Sequence, residues 1–281
     1  MNKDAIEYII NCMAASEANS EIQRIQTEHR LKLAEFWGIS EGSKVLEIGC
    51  GQGDTTAVLA YLVGEKGLIH GIDIASPDYG APITLEDSIH YLKESALGNQ
   101  IKVQFETNIL SPEVDFPKGY FDFVVLSHSS WYLHSFEELH DILMQLKKWG
   151  KTLCFAEWDT RIQTDEQVPH FLSVLIQAQY ECFKNTSLSN VRTLFTPMDV
   201  KKIAEDAGWN VLKETTIYSP ALQDGEWEIQ HVLTDYSEEL NAVSDMPSKF
   251  QNLLLSEIKL LDDAMHNSVI KPMSTFAFIA K

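Results

Sequence analysis

Short runs of branched and aromatic residues alternate along this chain with stretches whose apolar side chains recur every three or four positions. The run at 44–48, Lys-Val-Leu-Glu-Ile, has the near-continuous apolar character of a parallel strand covered on both faces. Comparable runs at 67–74, 101–106, 121–128, 152–158, 209–218 and 274–280 predict six more strands. Helical spacing fills the intervals. Residues 55–63 place Ala57, Val58, Leu59 and Leu62 on one side. Thr84-Leu85-Glu86-Asp87 is built like a capping box and opens a helix to about Leu97, and Ser135-Phe136-Glu137-Glu138 opens another that Gly150 stops. In Thr196-Pro197-Met198-Asp199, proline at the first helical position starts a third, which Gly208 ends. Strand–helix alternation of this kind predicts an α/β fold, a doubly wound seven-stranded and mostly parallel sheet with helices on both faces.

Three regions fall outside the alternation. Residues 3–15 and 20–37 read as helices in an N-terminal cover (1–39). In the second, Ile22, Ile25, Leu31, Leu33, Ala34 and Trp37 form an apolar side. Gln26, His29 and Arg30 then read as a solvated face, with a lid over a ligand as the alternative. Two helical inserts, 160–194 and 219–271, interrupt the core, which comprises 40–159, 195–218 and 272–281. Neither insert is set off by a Pro/Gly-rich linker, so the chain reads as one domain. Both leave the sheet at its ligand end, and Tyr180, Phe183, Trp227, His231 and Tyr236 are candidates for a pocket lining or for packing within the inserts.

The first strand runs into Gly49-Cys50-Gly51-Gln52-Gly53, with Glu47 near the strand's end and a helix following. Such a turn presents backbone N–H groups and a helix N-terminus to a ligand. A dinucleotide fingerprint needs glycine where Asp54 stands. A carboxylate with a glycine loop suits a ligand bearing an ammonium group and no pyrophosphate. Asp73, about twenty residues on at the end of the second strand, is placed to accept hydrogen bonds from ribose hydroxyls.

The sequence Glu47-x-Gly49-x-Gly51-x-Gly53, with Phe121-Asp122-Phe123-Val124-Val125-Leu126-Ser127-His128 as its fourth strand, resembles the class I S-adenosylmethionine-dependent methyltransferases. Cyclopropane-fatty-acid-synthase-like members share this core. The resemblance implies S-adenosylmethionine as cofactor, held by Glu47, Gly49, Cys50, Gly51, Gly53, Asp73, Ile74, Asn108, Ile109 and Ser127. Asn108 stands where the family commonly has an acid that contacts the adenine amino group. Asn can accept that bond through its carbonyl, or it can simply turn the chain. His128 and Glu157 are the candidate catalytic residues, and Trp131, Tyr132 and Glu157 the candidate acceptor contacts. The segment after the fourth strand lacks the Asp/Asn-Pro-Pro-Tyr signature of exocyclic amino methylation. Glu157 and Asp159 share a strand end, but Ser127 and His128 stand where a metal-dependent relative would need further acidic or amide ligands, so no metal is expected.

Charge and composition narrow the acceptor. The chain of 281 residues is 44% hydrophobic, enough for a sizeable core, with a net charge of −19. That charge disfavours nucleic acid and anionic lipid surfaces, leaving a small-molecule methyl acceptor as the expected partner. No run is long enough to span a bilayer, so no integral membrane association is expected. Asp4 and Glu7 interrupt the early apolar stretch, against a signal peptide. Cys12, Cys50, Cys154 and Cys182 show no metal-like pairing and suit a reducing, cytoplasmic setting. Oligomeric state leaves no mark in the sequence. Two alternatives stay open beside methyl transfer to a small molecule: lipid methylenation of the cyclopropane-synthase kind, and a non-catalytic module that binds an adenosine ligand. A nicotinamide-dependent oxidoreductase is disfavoured by Asp54 and Glu47.

Overall fold

A computed structural model describes residues 3–14, 20–184, 187, 189–243 and 245–281. The described residues form one seven-stranded sheet in the order β3-β2-β1-β4-β5-β7-β6. The strands are β1 (Lys44–Ile48), β2 (Leu68–Ile72), β3 (Ile101–Gln104), β4 (Phe121–Ser127), β5 (Gly150–Trp158), β6 (Val211–Ile217) and β7 (Thr275–Ala280). Neighbours from β3 to β5 run parallel, and β7 lies antiparallel between β5 and β6. All seven predicted strands are present: β1 has its predicted bounds, β5 begins two residues earlier at Gly150, and the other five are shorter. The third ends early because Glu106 turns the chain at φ 49°.

Alternate residues of each strand face two different cores. On one side, Val45, Val125, Cys154, Ala156 and Ala277 meet helices α1 (Lys3–Asn11), α2 (Ser20–Trp37), α3 (Asp54–Val63) and α4 (Leu85–Glu94). On the other, Leu46, Val124, Leu126, Leu153, Phe155, Phe276 and Phe278 meet α5 (Phe136–Trp149) and α7 (Pro197–Asp206). The predicted helix over 3–15 stops at Asn11, and residue 15 lies outside the described residues. The helix from Thr84 also ends sooner than its periodicity suggests. Ser95 caps it at Glu94, its hydroxyl donating to the Leu92 carbonyl at 2.6 Å. At α7 the capping box is complete: Thr196 Oγ1 accepts from Asp199 N, and the Asp199 carboxylate accepts from Thr196 N.

The inserts supply α6 (Val168–Glu181), α8 (Asp224–Asn241) and α9 (Ser248–Asn267). These helices bury a core of their own, with Ile176 and Tyr180 against Ile229, Val232, Leu240, Leu254, Ile258 and Leu261. Val174 of α6 belongs instead to the main core, so α6 ties the inserts to the sheet.

β7 holds the two halves of the sheet together, so its packing sets much of the stability. Phe278 is fully buried and stacks on Phe155 with ring centroids 5.2 Å apart. Phe278→Ala should cost about 3–5 kcal/mol, the usual range for a fully buried phenylalanine, measured by urea denaturation. A loss below about 1 kcal/mol would mean that this side chain is not packed between β5 and the helices as described.

Candidate active site

The C-terminal ends of β1 and β2 form a cradle. Gly49 N donates to Ile72 O at 2.8 Å, and Gly53 N donates to Cys50 O at 2.9 Å. Gly49 has φ +75°, and a Cβ there would lie 2.7 Å from Ser129 Cβ, so only glycine lets β1 and the segment after β4 come this close. Gly51 has φ +51°, and a Cβ on it would enter open space on the free side of the turn. The Asp73 carboxylate pins the turn, accepting from Gly51 N at 2.7 Å and Ala75 N at 2.9 Å. Glu47 is buried at 3% exposure and accepts from Thr56 Oγ1 of α3 at 2.6 Å. Ile74 is 66% exposed beside this turn, an apolar side chain with a free face.

Other predicted contacts vary. Cys50 is buried, and burial pushes its thiol well up, Glu47 and Asp73 adding to the effect. Asn108 is exposed and uses Oδ1 to accept from Leu110 N at 2.8 Å, the chain-turning role. Ile109 is buried in the main core. The Ser127 hydroxyl is buried with no hydrogen-bond partner among the described residues.

Beside the cradle, at the ends of β4 and β5, lies a cavity of about 220 Å³. His128, Trp131, Tyr132, Glu157 and Trp158 line its sheet side. His128 has φ +51°, a strained conformation for a side chain of this size, and its N–H donates to Ala156 O at 2.9 Å. Its Nδ1 lies 3.4 Å from Glu157 Oε1, close enough for attraction but not aligned as a hydrogen bond. Glu157, itself buried, accepts from Ser130 Oγ at 2.7 Å, Ser130 N at 3.2 Å and Trp158 N at 3.0 Å. Trp131 is buried and its indole N–H donates to Phe195 O at 3.2 Å. Asp159 points elsewhere, paired through both oxygens with Arg161 at 2.8 Å. Among the described residues, no group of three or more His, Cys, Asp and Glu side chains is arranged to hold a metal ion.

The rest of the lining comes from residues outside the candidate site read from the sequence, with Gln26, His29 and Arg30 named there only as the alternative lid face. The polar face of α2 is buried, with Gln26 8% and His29 3% exposed, which corrects the solvated reading. Gln23 Nε2 donates to Asp54 Oδ1 at 2.8 Å beside the glycine turn, and Gln26 Nε2 donates to Asp224 Oδ2 at 2.7 Å on α8. His29 Nδ1 is 3.0 Å from Ser219 Oγ, and its Nε2 is 3.2 Å from Thr275 Oγ1 and 3.5 Å from His128 Nε2. Burial holds the His29 imidazole well below its usual pKa, and His128 nearby adds to the effect. The inserts contribute His170, Val174, Leu222, Asp224 and Glu228. None of the five insert residues proposed from the sequence lines the cavity. Tyr180 and Tyr236 pack in the insert core, Phe183 meets Phe250, Trp227 is 49% exposed, and His231 pairs with Asp235.

A family model described as a methyltransferase domain matches residues 21–214. The chain belongs to this methyltransferase family. Along its whole length it is 34% identical to a cyclopropane-fatty-acyl-phospholipid synthase-like protein from Lactobacillus casei ATCC 334, covering 100% of both chains at a TM-score of 0.88. It is 28% identical over 252 residues to methyltransferase phomM' of Diaporthe leptostromiformis, which covers 75% of this chain and 64% of the relative. The chain thus spans about 64% of the length of the curated relatives it matches. A phosphoethanolamine N-methyltransferase 2 from Haemonchus contortus, solved in complex with S-adenosyl-L-methionine, shares the fold. It is 16% identical, with 90% of this chain and 52% of that chain covered at a TM-score of 0.51.

The cradle fits S-adenosylmethionine, the ligand held by the Haemonchus contortus structure that shares this fold. The turn leaves open space at Gly51, Glu47 can face an ammonium group, and Ile74 offers an apolar surface beside Asp73. Burial pushes the Glu47 carboxyl up to about 8, only partly offset by the Thr56 hydrogen bond. An unfolded chain gives up this proton near the ordinary 4.5, so the native state holds more protons between the two values. Stability from this group is therefore full below about 4.5 and lost as pH rises through about 8. In donor-free protein, Glu47→Gln should flatten that fall, whose slope approaches about 1.4 kcal/mol per pH unit, in denaturant titrations across the window. Parallel profiles for the two proteins would show that Glu47 ionises as readily in the native state as in the unfolded chain.

Proposed function

We propose that the protein transfers the methyl group of S-adenosylmethionine to a small polar acceptor bound in the cavity at the ends of β4 and β5. The size of that cavity carries the reading: at about 220 Å³ it falls below the usual range for drug-sized ligands, about 300–1,000 Å³, and polar groups line it. When bound, the donor would supply an electrophilic methyl on a sulfonium sulfur, the C–S bond breaking to give a neutral thioether as the acceptor's electron pair forms the new bond. The protein's share is orientation and proton removal. Glu47 and Asp73 face the donor's ammonium and ribose hydroxyls in this reading, and the turn from Gly49 to Gly53 admits its amino-acid end. Glu157 beside His128 Nδ1 favours a hydrogen on that nitrogen and leaves Nε2 to take the acceptor's proton. Trp131 and Tyr132 bound the acceptor, and α2, α6 and α8 keep water out.

One observation favours a second reading. The full-length similarity to a cyclopropane-fatty-acyl-phospholipid synthase-like protein keeps lipid methylenation in view. The small cavity and its carboxylates, Glu157, Asp224 and Glu228, count against an acyl chain with an anionic headgroup.

Two measurements test the proposal. Gly51→Val should lower donor affinity at least 100-fold by calorimetry while the circular dichroism spectrum is unchanged, because the new side chain fills the space left for the ligand. Unchanged affinity would remove the cradle from the argument. Turnover of donor should appear with small hydroxyl or amine acceptors and not with phospholipid vesicles, and His128→Gln should lower kcat by about 10²–10⁴-fold with donor affinity kept. Tight donor binding with no turnover on any acceptor would identify a binding module instead.

A further inference from the structure

Two buried nitrogens at the acceptor cavity lack an aligned hydrogen-bond partner among the described residues, His128 Nδ1 and His170 Nε2. His128 has Glu157 close by. His170 has no such neighbour, and buried donors without partners are rare enough to need a reason. We propose that His170 donates the hydrogen bond that selects the acceptor, and that this acceptor is a small uncharged ring bearing a hydroxyl, a phenol or an enol. The proposal rests on the methyltransferase reading above and deepens it.

His170 lies in the first turn of α6 and is fully buried. Met273 N donates to its Nδ1 at 2.9 Å, so the ring hydrogen of the neutral imidazole sits on Nε2. Burial lowers the pKa of the ring to about 3, with His128 adding to the effect, so the group stays a neutral donor at any working pH. Its indole neighbour Trp158 is shared with His128, with ring centroids 5.1 Å and 4.7 Å away. Both imidazoles thus belong to the lining of this cavity, each beside the same indole. One can accept a proton, and the other can only donate.

The walls suggest what such a ligand looks like. Trp131, Tyr132 and Trp158 bring three aromatic rings to the lining, a composition that suits a planar ring. Glu157, Asp224 and Glu228 outnumber Arg30, which opposes an acceptor that arrives as an anion. A neutral hydroxyl meets both demands. It gives its proton to His128 as the methyl is transferred, and its oxygen lone pair takes the Nε2–H of His170 as negative charge develops.

The test uses the full chain, labelled with ¹⁵N-histidine and saturated with S-adenosylhomocysteine, with phenol and toluene as probes. Phenol should shift the Nε2–H resonance of His170 in a saturable way, and toluene should leave it in place. His170→Asn keeps an oxygen for Met273 N–H but lacks the reach into the cavity. It should bind phenol at least 10-fold more weakly, with S-adenosylhomocysteine affinity unchanged. Failure of phenol to bind, binding that leaves the resonance unmoved, or equal affinity in the variant would each overturn the proposal. A resonance fixed by Trp158 and a variant that only loses stability would make His170 a strut beneath β7. Failure of S-adenosylhomocysteine itself to bind would instead sink the methyltransferase reading of the site.

Discussion

The site depends on the pairing of β1 with β4. These strands lie side by side from Val45↔Phe123 to Ile48↔Leu126, yet the chain leaves them toward opposite faces. After β1 it enters α3 on one face, and after β4 it enters α5 on the other. Their C-terminal ends must therefore part, and a crevice opens where the strand order reverses. The glycine turn borders this crevice on one side and Ser129 on the other, near enough that a single methyl group on Gly49 would collide. In the proposed reading, donor and acceptor positions follow from that separation: one over β1 and β2, the other over β4 and β5.

α2 closes the crevice by hydrogen bonding. One apolar side packs on α3, and its polar side chains reach five elements, α3, α8, β6, β7 and β4. Gln23 reaches the start of α3, Gln26 reaches α8, and His29 reaches the ends of β6, β7 and β4. Buried polar side chains of this kind are costly unless each finds a partner, so their network fixes the angle of the helix more narrowly than apolar contact could. α2 thus contacts both the glycine turn and the cavity at the ends of β4 and β5.

What could be read from the sequence was what is local. Parallel strands buried on both faces show as continuous apolar runs, and the glycine turn with Glu47 spans seven residues, so both were visible without the fold. The acid at the end of β2 was visible because it follows the turn at a set interval. His170 was not, and His29 was visible only as the second reading of a helix face. Helical spacing tells which residues share a face, but not which element that face meets, and their partners Ser219, Thr275 and Met273 lie far off in sequence. The same gap explains the aromatic residues of the inserts, where Tyr180, Phe183 and Tyr236 look like a lining but stabilise helix against helix. Asn108 is a different case, because a turn residue and an adenine contact leave the same trace in one sequence.

β7 sits between β5 and β6 although it follows both in the chain. On a ribosome, β5 and β6 emerge with their inner edges unpaired and stay so until residues 275–280 are clear of the exit tunnel. The first five strands can associate in the order they are made, but the half of the sheet bearing β6 must wait for a strand to be threaded into its middle. Unpaired edges of this kind invite the wrong partner, so the interval between the synthesis of β5 and the arrival of β7 is the most exposed moment in the life of this chain.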